Sequence, residues 1–155
     1  MKPLQNEIGC PQARHGGAHV EDVIRNVAML KGLTAEQVRS LAGAASQMTL
    51  NPNQVLFQEG DPTGGVFIVE RGRVTLTRKG TRIAQLGPGQ MFGEMASLDG
   101  GPRVVTVTAG EPTTLIAIPP AAYNAAVYGN LSVLKEVLRV VLTRVRGLED
   151  AIERG

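Results

Sequence analysis

Apolar residues recur at helical spacing near both ends of the chain and form short strand-like runs between them. From Val20 to Leu30 the apolar side chains fall three or four positions apart, which predicts an amphipathic helix. Thr34 is followed three residues later by Gln37, the spacing of a capping box, so we expect a second helix to begin there. Together these helices are predicted to occupy residues 20–48.

The middle of the chain, 49–118, changes to short runs rich in β-branched residues, separated by turns that contain glycine. Short strands at roughly ten-residue spacing are typical of antiparallel sandwiches and barrels. We therefore predict an antiparallel β-barrel or jelly roll (a double-stranded β-helix). The runs are 54–57, 66–69, 74–76, 83–86, 104–108 and 113–118.

Helical spacing returns after Pro119, with a short helix and then a long one that ends near Arg154, so that helices are predicted over 119–154. Two apolar stripes run along the long helix. One stripe can cover the barrel and the other can pair with a second chain, which predicts a homodimer through helix 131–153. The alternative is a single wide stripe that only covers the barrel. The stripes are Leu134, Leu138, Val141, Val145, Leu148 and Ile152, and Val133, Val137 and Val140.

Length and composition are those of one α+β, mainly β domain over 20–155, preceded by a flexible tail over 1–19. No apolar run approaches membrane-spanning length, and the first residues lack the apolar block of a secretory signal, so we expect none. With a single cysteine there is no internal disulfide, so we expect a cytoplasmic protein without a membrane partner. The net charge of +2 is not clustered and aromatic residues are few, so no nucleic-acid partner is expected.

Catalytic and metal-binding patterns are missing from the sequence. Cys10, His15 and His19 fit no standard zinc spacing, and no combination of residues suggests a nucleophile with its base. We therefore predict no metal, no cofactor, no catalytic residues and no enzymatic activity.

The segment 92–106, FGEMASLDGGPRVVT, carries the chemistry of the chain. Gly93 lets backbone approach a ligand, and a helical turn over 94–98 would point free N–H groups at an anion. Arg103 can grip a phosphate with two parallel hydrogen bonds. Glu94 fits beside an anion if it accepts a hydrogen bond from a sugar hydroxyl, so the pair suits a ribose phosphate. From the residues alone, a glycine-rich barrel corner with incidental Arg and Glu is the alternative.

Several stretches resemble the cyclic nucleotide-binding domains of catabolite activator proteins, kinase regulatory subunits and nucleotide-gated channels. The phosphate-binding cassette of that family resembles one stretch of this chain, which reads FGEM, an alanine and then GGPRVVT. The first strands of the family look like VLFQEGDPTGGVFIVERGRVTL. The approach to the cassette resembles LGPGQMFGE, and the N-terminal helices resemble MLKGLTAEQ. The resemblance covers about residues 25–152.

The resemblance implies a role for each matching residue. Glu94 would bind the ribose 2′-hydroxyl and Arg103 the cyclic phosphate, and the long helix would close over the base. Gly93 and Ala96 would lend backbone N–H groups or close approach, and Val104 would offer its N–H to the phosphate. The implied ligand-binding residues are Gly93, Glu94, Met95, Ala96, Arg103, Val104 and Val105, with Leu148, Glu149 and Arg144 as a base lid.

This chain departs from the family where Val104 and Val105 replace the usual small or hydroxyl-bearing pair. Val104 has no hydroxyl to hold guanine, which favours cAMP over cGMP as the ligand. The expected function is a cyclic nucleotide sensor that moves its C-terminal helix and so regulates an unknown protein effector. Two alternatives remain open: a non-binding dimerisation scaffold whose valines fill the pocket, and a fragment of a larger regulator or channel.

Overall fold

A computed structural model of the protein describes residues 18–62, 64–93 and 100–154. These residues form four helices, one 3₁₀ turn and eight strands. The helices are α1 (Ala18–Arg25), α2 (Ala35–Ala44), α3 (Pro120–Tyr128) and α4 (Leu131–Arg154), and the 3₁₀ turn is Ala28–Leu30. The strands are β1 (Ser46–Leu50), β2 (Val55–Phe57), β3 (Val66–Arg71), β4 (Val74–Arg78), β5 (Thr81–Leu86), β6 (Met91–Phe92), β7 (Thr106–Ala109) and β8 (Thr113–Ile118).

The strands form two antiparallel sheets in the orders β1-β8-β3-β6 and β2-β7-β4-β5. The predicted mainly-β jelly roll, with helices before it and a long helix after it, is confirmed. Within the part of the chain that the structure describes, the strands remain two separate sheets and do not close into one barrel, because no strand of one sheet pairs with a strand of the other.

The first sheet has an apolar core on each of its two faces. Along β3, Phe67 and Val69 join the core between the sheets, whereas Val66 and Ile68 join the core beneath the helices. This alternation is the two-residue period of a strand buried on both sides. The core between the sheets and the core beneath the helices are therefore separated by one layer of backbone.

The N-terminal helical region differs from the single helix predicted over Val20 to Leu30. α1 ends at Arg25, and Val27 has extended backbone, with φ −76° and ψ 123°, before the 3₁₀ turn. This break lets Val27, Met29 and Leu30 all be buried, which one helix face does not allow. α2 begins as predicted: Gln37 N donates to Thr34 Oγ1 at 3.1 Å, and Thr34 N donates to Gln37 Oε1 at 3.0 Å.

Two boundaries lie elsewhere than the sequence indicates. The first strand begins at Ser46, inside the region predicted to be helical over 20–48, because Ser46–Leu50 pairs along its whole length with β8. Of the tail predicted over 1–19, residues 1–17 lie outside the described residues, and these include Cys10 and His15. Ala18 and His19 belong to α1.

The long helix α4 packs through one side only. Val133 and Val137 are fully buried against the helical core, with Leu134 and Val141 partly buried beside them. Leu138 belongs to the same predicted stripe as Leu134, yet it is 49% exposed. Leu131, Leu138 and Leu142 form an exposed row, which we call the leucine face. None of the helices in the described ranges is apolar and long enough to span a membrane.

Candidate functional site

Arg103 is fixed in position by its backbone. Its N–H donates to Asp61 O at 2.8 Å, and its carbonyl accepts from Gly60 N at 2.8 Å. This is the hydrogen-bond pattern of two antiparallel strands, formed where the chain returns from the cassette. The side chain is only 4% exposed, so the backbone pairing directs a cationic group into the interior.

Two phenylalanine rings lie against the inner side of the guanidinium, and a third packs behind them. The Arg103 Cζ lies 4.0 Å from the Phe57 ring centroid and 5.7 Å from that of Phe67. Phe92 stacks on Phe67 with a centroid separation of 5.4 Å. These are all three phenylalanines of the chain, contributed by β2, β3 and β6.

Glycines border the outer edge of the guanidinium. Gly93 has a φ of +92°, and a Cβ atom there would lie 3.0 Å from both Arg103 Nη1 and Gly65 O. A Cβ atom on Gly64 would lie 3.6 Å from Arg103 Nη2. Gly93 O accepts a long 3.5 Å hydrogen bond from Nη1. As far as the described residues go, backbone without side chains borders the edge of the guanidinium, an arrangement that suits the close approach of a ligand.

The described residues compensate the charge of Arg103 poorly. No carboxylate of the described residues lies within ion-pair distance of the guanidinium, and its buried Nε has no hydrogen-bond acceptor among them. Burial lowers the pKa of Arg103, and the negative charge of Asp61 partly offsets that effect. Because a buried cation without a partner is costly, the arrangement suits a bound anion.

The residues predicted from the sequence fall into three groups. The structure places Gly93 beside Arg103. Val104 follows Arg103 and is 42% exposed, whereas Val105 packs against the core between the sheets. Glu94, Met95 and Ala96 lie outside the described residues, as do the side chains of Leu148, Glu149 and Arg144 on α4.

Sequence reasoning missed the residues that surround the guanidinium from other strands. Phe57, Phe67, Gly64 and Gly65 all lie upstream of the cassette and reach it only through the sheet pairing. The rarity of phenylalanine was the available signal, because the chain has just three and all three lie next to this site. In the described ranges no three His, Cys, Asp or Glu side chains are grouped so that they could hold a metal ion.

Comparison with known proteins gives one consistent result. The model of the cyclic nucleotide-binding domain matches residues 47–127, more than half of the 155 residues and all of the described site. The cyclic AMP receptor protein of Thermus thermophilus is 35% identical over 105 residues, which cover 64% of this chain and 48% of that protein.

Two solved structures agree in fold. The N-terminal domain of a transcriptional regulator from Streptomyces coelicolor is 32% identical, with a TM-score of 0.65 over 84% of this chain and 95% of that one. The regulatory domain of Toxoplasma gondii PKA with cAMP is 17% identical, with a TM-score of 0.74 over 81% of this chain and 49% of that one. This chain spans 10% to 48% of the length of the curated relatives compared with it. The chain belongs to the cyclic nucleotide-binding domain family.

Proposed function

We propose that this chain is a sensor module that binds cAMP in preference to cGMP and reports occupancy through α4 to a protein effector. The observation that carries the proposal is the buried Arg103 guanidinium, which lacks an ion-pair partner among the described residues. Arg103 binds the cyclic phosphate, and Gly93 allows the ligand to approach the backbone. Glu94 accepts a hydrogen bond from the ribose 2′-hydroxyl.

Titration calorimetry with cAMP tests the phosphate contact. Wild-type protein should bind with a micromolar or lower Kd, and Arg103→Met should weaken binding at least about 100-fold, because two charge-assisted hydrogen bonds are lost. Arg82→Met is the matched control, since it removes the same charge from an exposed position. A folded wild-type protein that binds neither cAMP nor cGMP would contradict the proposal.

The ribose contact needs its own test. A thermal-shift assay should show stabilisation by cAMP and much less by 2′-deoxy-cAMP, because the deoxy analogue gives Glu94 no hydroxyl to bind. Glu94→Gln should reduce the difference between the thermal shifts that cAMP and 2′-deoxy-cAMP produce. Equal stabilisation of wild-type protein by both ligands would remove Glu94 from the proposed contacts.

Val104 carries the preference for adenine over guanine in this proposal. Its side chain is 42% exposed, so a threonine of nearly the same shape fits at this position. The added hydroxyl of Val104→Thr should raise the affinity for cGMP relative to cAMP by about fivefold to tenfold, the value of one hydrogen bond. An unchanged ratio of the two Kd values would place base selection elsewhere.

The leucine face of α4 supports association with a second copy of this chain. Leu138 and Leu142 are 49% and 51% exposed one helical turn apart. In sedimentation experiments, wild-type protein should be dimeric and Leu138→Lys monomeric. Thr143→Lys, which places the same charge on another side of the helix, should remain dimeric.

Coupling between the ligand and α4 separates the sensor from a non-binding scaffold. A ligand shifts a helix only if it binds the two states with different affinity. Hydrogen exchange in α4 should therefore change when cAMP saturates wild-type protein and should not change in Arg103→Met. The scaffold alternative instead requires that both proteins dimerise equally and that cAMP has no effect on either.

A further inference from the structure

Phe57 supplies the surface against which the Arg103 guanidinium rests. The Arg103 Cζ lies over the Phe57 ring at 4.0 Å from its centroid, within the range at which a ring quadrupole attracts a cation. Phe67 is more distant, at 5.7 Å. Phe57 is itself buried, so water does not weaken this attraction.

Few other contacts of the described residues fix the guanidinium. The hydrogen bond from Nη1 to Gly93 O is long, at 3.5 Å. The nearby carboxylate of Asp61 accepts a 2.9 Å hydrogen bond from Gln58 N within its own turn. Gly64 and Gly93 border the group without side chains. Among the residues that the structure describes, the Phe57 ring is therefore the main contact of the guanidinium.

A ring and a carboxylate hold a guanidinium in different ways. The donors of arginine lie in the guanidinium plane, so a carboxylate would occupy the edge that a phosphate requires. An aromatic ring contacts the face of the group and leaves that edge free. Holding Arg103 by a ring thus avoids competition between the internal partner and an anionic ligand.

The local geometry of β2 directs Phe57 toward this position. Val55 pairs with Thr108, but Phe57 pairs with Val107, so the register shifts by one residue between them. A bulge of this kind re-aims the side chains that follow it. Val55 is exposed while Phe57 is buried, although an ideal strand would place them on the same face.

We propose that Phe57 is a positioning residue for the anion site, whose ring holds the Arg103 guanidinium so that its N–H donors face the ligand phosphate. This inference rests on the proposed function. Phe57→Leu should weaken cAMP binding about tenfold. Phe92→Leu is the matched control: it removes a ring from the same core, but none of its described contacts is with Arg103, and it should change the Kd less than about threefold.

Global replacement of phenylalanine by fluorinated analogues tests the electrostatic part of the role. Because the chain has only three phenylalanines, all next to this site, the replacement changes no other part of the protein. The Kd for cAMP should rise stepwise from phenylalanine to monofluoro-, difluoro- and trifluorophenylalanine, since each fluorine weakens the ring quadrupole while nearly keeping its shape. A Kd that stays constant along the series would overturn the proposal.

A nucleotide-free measurement separates this inference from the proposed function. In urea unfolding, Phe57→Leu and Arg103→Met should be non-additive, whereas Phe92→Leu and Arg103→Met should add. Additive effects of the first pair would overturn the role of Phe57 even if cAMP binds. Equal losses of affinity in Phe57→Leu and Phe92→Leu would also overturn it. Absence of nucleotide binding by wild-type protein would instead overturn the proposed function.

Discussion

Asn130 donates a 2.8 Å hydrogen bond from its side-chain Nδ2 to Gln37 Oε1, and so joins the start of α4 to the start of α2. The same amide nitrogen donates to Gly32 O at 2.9 Å, while Asn130 Oδ1 accepts from Val133 N at 3.2 Å. Gln37 Oε1 also accepts from Thr34 N in the capping box. One pair of amides therefore caps two helices and fixes their first turns against each other.

The first prediction concerns this pair. Asn130→Ala should lower the free energy of unfolding by about 1–2 kcal/mol, because it removes the cap of α4 and two further hydrogen bonds. Asn130→Ala and Gln37→Ala should be coupled by about 0.5–1 kcal/mol in a double-mutant cycle measured by urea unfolding.

The control for this cycle is Ser40→Ala, an exposed substitution on the same helix α2. Its effect should add to that of Asn130→Ala within about 0.5 kcal/mol. If the effects of Asn130→Ala and Gln37→Ala on the free energy of unfolding add equally well, the interhelical hydrogen bond contributes no stability.

The second prediction concerns the backbone of Gly93. Gly93→Ala should lower the free energy of unfolding by about 1–3 kcal/mol, since φ is +92° and the new Cβ would lie 3.0 Å from Gly65 O and from the Arg103 guanidinium. Gly87→Ala should cost less than about 0.5 kcal/mol or stabilise, because its φ is ordinary and no atom lies within 4 Å of a Cβ there. Thermal unfolding of both variants compares the two sites directly, and equal losses would show that the close approach at Gly93 is unimportant.

The third prediction separates stability from ligand binding at Arg103. Arg103→Met keeps the length and packing of the side chain but removes a buried charge that has no ion pair among the described residues. Its free energy of unfolding without nucleotide should lie within about 1 kcal/mol of the wild-type value or above it. A loss of more than about 2 kcal/mol in urea unfolding would mean that the guanidinium has a structural partner.

The fourth prediction follows from Glu70, whose side chain is 5% exposed. Burial raises the pKa of Glu70, but hydrogen bonds from His19 and from Gln47 at 2.8 Å, together with the charges of His19 and Arg71, outweigh it and hold the pKa below 4.5. A lowered carboxyl pKa stabilises the folded state above pH 4.5, and this stabilisation is lost as the pH falls through the folded-state pKa.

The measurement is the free energy of unfolding between about pH 6 and pH 3 for wild-type protein and Glu70→Gln. The variant should have a lower free energy of unfolding than wild-type protein near pH 6. This difference in stability should shrink as the pH falls below about 4.5. Glu36→Gln, at an exposed site on α2, should follow the wild-type curve. A deficit that is independent of pH would show that Glu70 acts through packing and not through its charge.

Contiguous features of the sequence predicted the structure well. The capping box at Thr34 needs only residues three positions apart, and Gly93 and Arg103 belong to one motif that the family model also matches. Features set by tertiary pairing were missed. The strand at Ser46 exists because β8 pairs with it, and the helix ends at Arg25 because the core has room for Met29.

The same distinction between contiguous features and tertiary pairing explains which residues of the site the sequence could predict. Phe57 precedes Arg103 by 46 residues, and nothing local in the sequence links them; the contact arises because β2 pairs with β7 just beyond Arg103. In α4, the spacing predicted two apolar stripes but not which side chains face the core. Val133 and Val137 turned out to face the core, and Leu138 did not, because helix rotation is set by the partner surface and not by the helix itself.

In the proposed sensor, the double-faced β3 strand joins the surroundings of Arg103 to the core beneath the helices. Phe67 beneath the anion site and Ile68 beneath the helices are neighbours in the chain but point to opposite sides of the sheet. Because both side chains are attached to the same stretch of backbone, a movement of the strand shifts both of them. Under the proposed function, a movement on the side of Arg103 therefore has to cross only a single peptide plane to reach the helices, a path far shorter than the route along the chain to α4.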